Sequence, residues 1–441
     1  MRAAASASCA VLLVCAARVP SLAETWAWSG TGRIEGADNV FRIVQACGGA
    51  LHAATGPRGA VYTSHGEGWS RPAFLPGAAD VLALIEASNG SLYAGSSPNG
   101  AIFRSDDGGE SWDAIFSDHA NVGEVKSFAE MEDGSLYAGT GPEGTILVSR
   151  DGGGSWEEAG SIPGARFVYC LLAASGEVLY AGTDCGVFAS HEEGRWRSTG
   201  GPPGVPLVFR LAEGTSGSIL AGCDGQTFEY PAGTGSWLPG LRVSRFSYAV
   251  FSIVDVSGTL FASTGSDSGI HARAPGDAAW RRVAGFRYAP NVYDLLHASD
   301  GTSYAAVGGS AGSGAVYAHA PLLKVWVGTD MPNAGEPLTV EFAVRPVASR
   351  FDAYAIVTGP GGSYSCTDGT PSVLVPGIRP FLRGVPGLAV PASGVVLSLP
   401  AAPPGAWSVV AGLVPAGAPP SAHGTIPGYL DSCRIEIGAG R

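Results

Sequence analysis

Apolar residues recur in short, evenly spaced runs along much of the chain. Seven runs share one pattern that begins with valine: VFRIVQA from Val40, VLALIEA from Val81, VKSFAEM from Val125, VYCLLAA from Val168, VFRLAEG from Val208, VFSIVDV from Val250 and VYDLLHA from Val292. A glycine-marked turn and two further short runs follow each of them, as in SLYAGSS and GAIFRS. Runs of this length between turn residues predict β-strands, so each pattern marks the first strand of a repeated unit.

Tryptophans mark a fourth strand in most units. They stand at Trp69, Trp112, Trp156, Trp196, Trp237 and Trp280. The seventh unit has no tryptophan after Tyr317, whereas Trp28 precedes the first unit. We therefore predict that the N-terminal segment supplies the outer strand of the seventh unit. Four strands per unit at a period of about 40 residues are typical of a β-propeller, so the predicted fold is all-β, with a seven-bladed propeller over residues 24–321.

One eight-residue motif occurs twice, as SDDGGESW and SRDGGGSW. Its shared positions are Ser105, Asp107, Gly109 and Trp112 in the first copy, and Ser149, Asp151, Gly153 and Trp156 in the second. The motif resembles the Asp-box, or BNR repeat, of sialidases and many secreted propellers. Asp can accept hydrogen bonds from the turn's own amides, Gly permits a positive φ, and Trp fills the space between neighbouring sheets. In that family the boxes lie away from the ligand-binding face, so the resemblance implies a structural role.

The same resemblance implies an enzymatic alternative, a sialidase-like or related propeller glycosidase. Such enzymes grip a substrate carboxylate with three arginines and use a tyrosine nucleophile together with a carboxylic acid. Possible counterparts are Arg42, Arg210 and Arg287 for the arginines, Tyr293 for the nucleophile, and Glu124 or Asp80 for the acid. Sialidase propellers have six blades, however, and seven units are present here.

A structural interpretation of these residues is favoured. Arg42, Arg210 and Asp294 occupy the third position of their strands, which predicts that they ring a central channel. Arg42 and Asp294 belong to adjacent units of a closed ring, so an ion pair is expected between them. Tyr293 falls at a second position that Phe41 and Phe251 fill elsewhere, and this indicates packing. The favoured function is therefore non-catalytic binding or scaffolding.

The loops that lead into the first strands should converge at one mouth of the channel, where propellers usually bind ligands. The predicted ligand-binding residues are Asn39, Arg42, Asp80, Glu124, Arg166, Arg210, Tyr248, Asn291 and Asp294. Their mixture of carboxylates, amides and aromatic rings suits a protein or glycan partner. No His-x-x-x-His or Cys-x-x-Cys spacing occurs, so we predict neither a metal nor a cofactor.

Charge and the N-terminal segment narrow the location and the partners. A formal net charge of −12 argues against a nucleic-acid or anionic membrane partner. Residues 1–23 combine Arg2, a short apolar run and the small residues Ser21 and Ala23, which is the layout of a cleaved signal peptide. The run is too short to span a bilayer, so no transmembrane segment is predicted. We therefore predict export to the periplasm, the cell surface or the medium.

After residue 321 the repeat ends, and alternating apolar residues separated by Pro and Gly predict an Ig-like β-sandwich over residues 322–441. This domain suggests a further alternative, a structural component of cell-envelope assembly. Export permits disulfides. The predicted pair is Cys366–Cys433, with Cys185–Cys223 as a second candidate, and Cys47 and Cys170 are expected to be buried free thiols.

Overall fold

The computed structural model describes residues 31–319 except 67, 118, 193, 215–216, 257, 287 and 300, and the backbone alone of residues 29–30 and of nine strands between 323 and 437. These residues divide into an N-terminal region within Glu24–His319 and a C-terminal region from Ala320 onwards, and each is described by itself. All elements assigned in them are β-strands. None of the described residues forms a helix with the length and hydropathy of a membrane span.

The N-terminal region consists of β1 and seven groups of strands that correspond to the seven repeated units. In chain order these are β1 (Ser29–Arg33); β2 (Asn39–Gln45), β3 (Leu51–Gly56), β4 (Ala60–Ser64) and β5 (Ala73–Phe74); β6 (Asp80–Glu86), β7 (Leu92–Ser97), β8 (Ile102–Ser105) and β9 (Asp113–Phe116); β10 (Val122–Glu130), β11 (Leu136–Pro142), β12 (Thr145–Ser149) and β13 (Glu157–Ser161); β14 (Val168–Ala174), β15 (Val178–Thr183), β16 (Gly186–Ser190) and β17 (Arg197–Ser198); β18 (Arg210–Glu213), β19 (Ile219–Gly222), β20 (Gln226–Tyr230) and β21 (Leu238–Arg242); β22 (Val250–Val256), β23 (Thr259–Thr264), β24 (Gly269–Arg273) and β25 (Arg281–Gly285); and β26 (Asn291–His297), β27 (Ser303–Gly308) and β28 (Ala315–His319).

Within each unit the strands pair antiparallel in sequence order. The second to sixth units form separate four-stranded sheets. The first and seventh units are joined in one eight-stranded sheet by a single pairing, Asn39 with Gly308. Most of the strands in each unit coincide with the apolar runs that the turn glycines separate in the sequence.

The N-terminal strand β1 completes the seventh unit, as the tryptophan spacing predicts. It pairs antiparallel with β28, with Gly30 opposite Tyr317 and Arg33 opposite Ala315. The hydroxyl of Thr31 also donates to the carbonyl of Val316 at 2.9 Å. Trp28 itself falls in the part of the chain that is not described.

The first strands of successive units contact one another, from β2 through β6, β10, β14, β18 and β22 to β26, and β26 contacts β2. The valine that opens each repeat is fully buried at all seven positions, from Val40 to Val292. A glycine on the second strand of the preceding unit leaves room for it in several places. At Gly95, for example, an added Cβ would lie 2.5 Å from the side chain of Val125. The repeated Ala-Gly of the second strands therefore reflects close packing between neighbouring sheets.

A side chain at the end of the first strand also links neighbouring units. Glu130 accepts a hydrogen bond from the backbone N–H of Ser88 in the preceding unit at 2.8 Å. Glu86 and Glu213 make the same contact with the units before them. Gln45 makes it with Ser299 at 2.9 Å, between the first and the seventh unit. These links satisfy turn amides that would otherwise lack a protein partner.

The C-terminal region forms two antiparallel sheets. Its strands are β29 (Leu323–Val327), β30 (Leu338–Val344), β31 (Phe351–Gly359), β32 (Gly362–Cys366), β33 (Leu374–Val375), β34 (Pro380–Val385), β35 (Ala392–Leu399), β36 (Gly405–Pro415) and β37 (Tyr429–Ile437). One sheet has the order β29-β30-β35, and the other has the order β33-β32-β31-β36-β37 with β34 paired to β31.

The strand order opposes the predicted Cys366–Cys433 disulfide. The two cysteines lie on β32 and β37, with β31 and β36 between them. Three strand spacings amount to about 14 Å, whereas the Cα atoms of a disulfide lie within about 7 Å of each other. The side chains of both cysteines lie outside the described residues.

The four cysteines of the N-terminal region are free thiols. The candidate pair Cys185–Cys223 is wrong, because Cys185 is exposed in a turn whereas Cys223 is fully buried in an apolar cluster with Cys170. The prediction for Cys170 as a buried thiol is confirmed. The prediction of burial for Cys47 is wrong, because β2 ends at Gln45 and leaves Cys47 exposed in the following turn.

Candidate ligand-binding site

Aromatic side chains at the second position of the first strands form a connected series, which we call the collar. A β-bulge separates the first and third positions of most of these strands, and it turns the second residue out of the regular alternation. The ring centroids are 5.1 Å apart for Phe41 and Tyr293, 5.3 Å for Tyr293 and Phe251, 5.7 Å for Phe251 and Phe209, and 5.3 Å for Phe209 and Tyr169. All five side chains are half-buried.

Two loop residues extend the collar beyond the first strands. The ring of Phe167 lies 5.9 Å from Tyr169, and that of Tyr248 lies 5.8 Å from Phe251. Tyr248 is 50% exposed. The aromatic contacts of the collar therefore continue into a ring that is open to solvent.

Lys126 takes the second position in the third unit and adds a cation to the collar. Its ammonium group lies 5.2 Å from the ring centre of Phe167 and 5.6 Å from that of Tyr169. It also forms an ion pair with Glu124. An ammonium group over aromatic faces is attracted by their negative electrostatic potential, so the contacts fix the cation at the edge of the collar.

Asp80, the first residue of β6 in the second unit, adds an acidic group to the collar. Burial raises the pKa of its carboxyl, the nearby Glu124 raises it further, and Lys126 opposes both effects. Gly56 makes room for this group, since an added Cβ would lie 1.8 Å from Asp80 Oδ1 and 3.0 Å from Phe41 Cε2. The absence of a side chain at Gly56 is therefore a requirement of the collar.

Two amides hold the hydroxyl of Tyr293. Asn291 Nδ2 donates to it at 2.9 Å, and the hydroxyl donates to Asn39 Oδ1 at 3.2 Å. Burial raises the pKa of the Tyr293 phenol, so the neutral form is favoured. Among the described residues, no carboxylate or imidazole hydrogen-bonds to this hydroxyl. These contacts suit a positioned binding group better than an activated nucleophile.

The third positions of the first strands contain the predicted ion pair. Arg42 Nη1 lies 3.3 Å from Asp294 Oδ1. Asp294 also accepts hydrogen bonds from Ser252 Oγ at 3.0 Å and from the backbone N–H of Ile43 at 3.3 Å. Asp294 is 3% exposed, and these hydrogen bonds link it to both neighbouring units. The prediction that Arg42 and Asp294 neutralise each other is confirmed.

Arg210 lies near this pair but forms no ion pair of its own among the described residues. Burial lowers the pKa of its guanidinium, Arg42 lowers it further, and Asp294 opposes the change. Its buried Nε has no hydrogen-bond partner among the described residues. Arg287, the third arginine considered from the sequence, is not among the described residues.

The structure divides the predicted ligand-binding residues into two groups. Asn39, Asp80, Glu124, Tyr248 and Asn291 lie at the collar, whereas Arg42, Arg210 and Asp294 occupy the third positions beneath it. Arg166 is exposed beside the collar, with its guanidinium 5.5 Å from the ring centre of Phe167. The sequence interpretation assigned the second position to packing and missed Lys126. The signal was the recurrence of a large side chain directly after the valine that opens each unit.

The two copies of the eight-residue motif form the same hydrogen-bonded turn. Asp107 accepts from the backbone N–H of Ser111 at 2.9 Å, and Asp151 accepts from that of Ser155 at the same distance. Hydrogen bonds led by those from the serine hydroxyls lower the pKa of both aspartates to about 2. Because alternate strands reverse direction, a turn after the third strand lies at the edge opposite the start of the first strand. The two copies are therefore remote from the collar.

The two copies also contact the preceding unit. At Gly153 an added Cβ would lie 2.2 Å from Tyr93 Cε1, and at Gly109 it would lie 3.1 Å from His52 Nδ1. Trp156 packs edge-on against Tyr93, with the ring centres 6.4 Å apart. Both copies of the motif therefore pack against side chains of the preceding unit.

The sequence matches no protein-family model and no curated protein. Three solved structures are similar in fold. Catalytically inactive virginiamycin B lyase from Staphylococcus aureus is 12% identical with a TM-score of 0.58, and the match covers 66% of this chain and 99% of that one. The extracellular domain of the putative hybrid two-component system BT4673 from Bacteroides thetaiotaomicron is 13% identical with a TM-score of 0.55, over 80% of this chain and 47% of that one. YCF48 bound to D1 peptide is 15% identical with a TM-score of 0.52, over 66% and 94%.

At these identities the similarity shows the fold alone. All three are β-propellers, and this chain shares their architecture of repeated antiparallel sheets. The chain spans about half the length of the BT4673 extracellular domain.

Proposed function

We propose that the protein is an exported, non-catalytic binding protein whose collar receives a protein or glycan partner. In this proposal the N-terminal region is a seven-bladed BNR-type propeller closed by β1, and the C-terminal region is an Ig-like β-sandwich. The closed series of contacts between first strands supports the propeller. The signal-peptide pattern of residues 1–23 supports export.

The half-buried collar is the observation that carries this proposal. The rings pack on one another on one side, and a partner can cover their other side without rearranging them. Burial of apolar surface contributes about 25 cal/mol per Å², so covering several rings supplies a substantial part of a binding free energy. Lys126, Asp80 and the amides around Tyr293 add orienting polar groups.

The contacts of two candidate catalytic residues favour binding over glycoside hydrolysis. Arg42 is engaged by Asp294 rather than available to a substrate carboxylate. Tyr293 is hydrogen-bonded by amides, and burial raises the pKa of its phenol. Both observations support a positioned, non-reactive surface.

The test compares Phe209→Ser and Phe251→Ser with the matched control Phe74→Ser, which alters an exposed phenylalanine on β5. Each protein is applied to a glycan array and to an immobilised random peptide library, and turnover of a panel of fluorogenic glycosides is measured in parallel. We expect wild type and Phe74→Ser to bind the same ligands, and the collar variants to lose about tenfold or more in affinity. Equal binding by all four proteins contradicts the collar assignment. Turnover that disappears in Tyr293→Phe contradicts a non-catalytic role.

A further inference from the structure

Two segments beside the collar combine arginines with exposed aromatic rings. They are RVSRFSY at 242–248 and RRVAGFRYAP at 281–290, and together they hold five arginines and no carboxylate in a chain of net charge −12. Phe246 and Tyr288 are 76% and 78% exposed, the highest values among the large hydrophobic side chains that the structure describes. Exposed rings of this size in an otherwise well-packed region mark an interaction surface.

One turn holds the two segments together. It lies between β23 and β24, and its Asp267 accepts a hydrogen bond from Ser244 Oγ in the first segment. On the other side, Arg282 Nη2 donates to the backbone carbonyl of Asp267 at 2.6 Å, and the backbone N–H of Phe286 donates to the carbonyl of Ser268 at 3.3 Å. The two loops are therefore parts of one connected surface.

The bridging turn has a demanding backbone. Ser266 and Ser268 have φ values of 68° and 53°, in the left-handed region that residues other than glycine seldom adopt. Their hydrogen bonds to the second loop hold this conformation, since the N–H of Ser268 donates to the carbonyl of Pro290 at 3.0 Å. A fixed turn reduces the conformational entropy that a partner must remove on binding.

The charge of the surface is positive. Arg242 and Arg245 are exposed and form no ion pair among the described residues. The carboxylate of Asp267 accepts hydrogen bonds from the hydroxyls of Ser244 and Thr264. Asp224 is an exposed carboxylate in the turn whose Gly225 carbonyl accepts hydrogen bonds from the backbone N–H groups of Val243 and Ser244. The four described arginines of the two segments, at 242, 245, 281 and 282, therefore outnumber the carboxylates of Asp224 and Asp267.

The surface continues into the collar. Tyr248 belongs to the first segment and packs against Phe251 at 5.8 Å. Gly265, at the start of the bridging turn, leaves space for both rings, because an added Cβ would lie 3.1 Å from Tyr248 Cε1 and 2.8 Å from Phe251 Cε2. The first segment and the bridging turn therefore contact the collar directly, so a partner bound to the collar can extend onto the surface that carries Phe246 and Tyr288.

We propose that this arginine–aromatic surface docks an acidic polypeptide segment that also carries apolar side chains. Its carboxylates face Arg242 and Arg245, and its apolar side chains cover Phe246 and Tyr288. An anionic polysaccharide would neutralise the arginines but leave a phenylalanine ring exposed to water, so a polypeptide fits better. This inference rests on the proposed binding function and specifies the class of partner.

The test selects peptides from a random display library on three forms of the full chain: wild type, Phe246→Ser/Tyr288→Ser and Arg242→Glu/Arg245→Glu. The control is Arg71→Glu/Phe74→Ser, which makes the same chemical changes at an exposed arginine and phenylalanine of the first unit. We expect wild type and the control to enrich peptides rich in Asp or Glu together with Leu, Phe or Trp. A labelled copy of the most enriched peptide should bind each surface variant about tenfold or more weakly. Its affinity for wild type should fall with added salt.

The outcomes separate this inference from the proposed function. Enriched peptides without acidic residues, or equal affinity for wild type and both surface variants, overturn the inference. If Phe251→Ser loses the peptide and the surface variants retain it, the collar function stands and the docking surface is wrong. Alginate, an anionic polysaccharide, is tested as a second probe on the same proteins. If the library enriches no peptide, and alginate binds wild type but not Arg242→Glu/Arg245→Glu, the inference is also overturned.

Discussion

Replacement of Asp294 by asparagine tests the electrostatic balance beneath the collar. The carboxylate pairs with Arg42 at 3.3 Å and accepts from Ser252 at 3.0 Å. Asparagine preserves the size and can still accept the hydrogen bond from Ser252, so the change removes chiefly the negative charge. The two neighbouring arginines, Arg42 and Arg210, then lose the carboxylate that offsets both of them.

The expected cost follows from burial. The side chains of Arg42 and Asp294 are 16% and 5% exposed. Breaking a buried pair by removing one partner costs about 3–5 kcal/mol, and the partial exposure of Arg42 places this site near 3 kcal/mol. With a urea slope of about 2–3 kcal/mol/M, the unfolding midpoint should fall by about 1 M or more. Tryptophan fluorescence during a urea titration of the full chain measures this shift.

Two further variants distinguish charge imbalance from general damage. Asp294→Asn/Arg210→Met should recover part of the lost stability, because it removes one of the two unbalanced cations. Asp224→Asn, at an exposed carboxylate, should change stability by less than about 0.5 kcal/mol. A loss below about 1 kcal/mol in Asp294→Asn, or no recovery in the double variant, would refute the reasoning.

Two other predictions concern the turns formed by the repeated eight-residue motif. Because the folded-state pKa of Asp107 and Asp151 is about 2, below the usual aspartate value of 3.8, their ionised forms stabilise the fold fully above pH 3.8, and the contribution disappears as pH falls through about 2. The stability difference between wild type and Asp107→Asn/Asp151→Asn, measured by urea titration, should therefore shrink from neutral pH to about pH 2; a constant difference contradicts this assignment. Gly153→Ala places a Cβ 2.2 Å from Tyr93 at a φ of 83°, so it should cost about 2 kcal/mol or more, whereas Gly164→Ala, at a φ of 80° with open space around it, should cost less. Equal thermal melting of the two alanine variants argues against the contact.

Several features of the scaffold could be predicted because they depend on local spacing. The recurring valines show the same burial in every unit, since each first strand packs against the sheet before it. The pairing of β1 with β28 could be inferred from a missing tryptophan at one end and an additional one at the other. The Arg42–Asp294 pair could be inferred because the two residues hold the same strand position in units that become adjacent when β26 contacts β2.

The collar could not be predicted, although its residues could be aligned. Phe41, Phe251 and Tyr293 share a strand position, which indicated packing, and their rings do pack on one another. The bulge that turns this position away from the regular ladder has no signature in the sequence pattern. The end of a strand is equally hard to read from the sequence pattern. Cys47 is exposed because β2 ends at Gln45, two residues before it.

The sequence by itself determined the strands, their order within a unit and the position of the small residues that neighbouring sheets require. The tertiary structure alone decided which apolar side chains face another sheet and which face open space at the collar. It also joined the segments around Tyr248 and Tyr288 through the turn at Asp267. The physical reason is that periodicity reports the apolar side of a strand, whereas exposure depends on what the folded chain brings to that side.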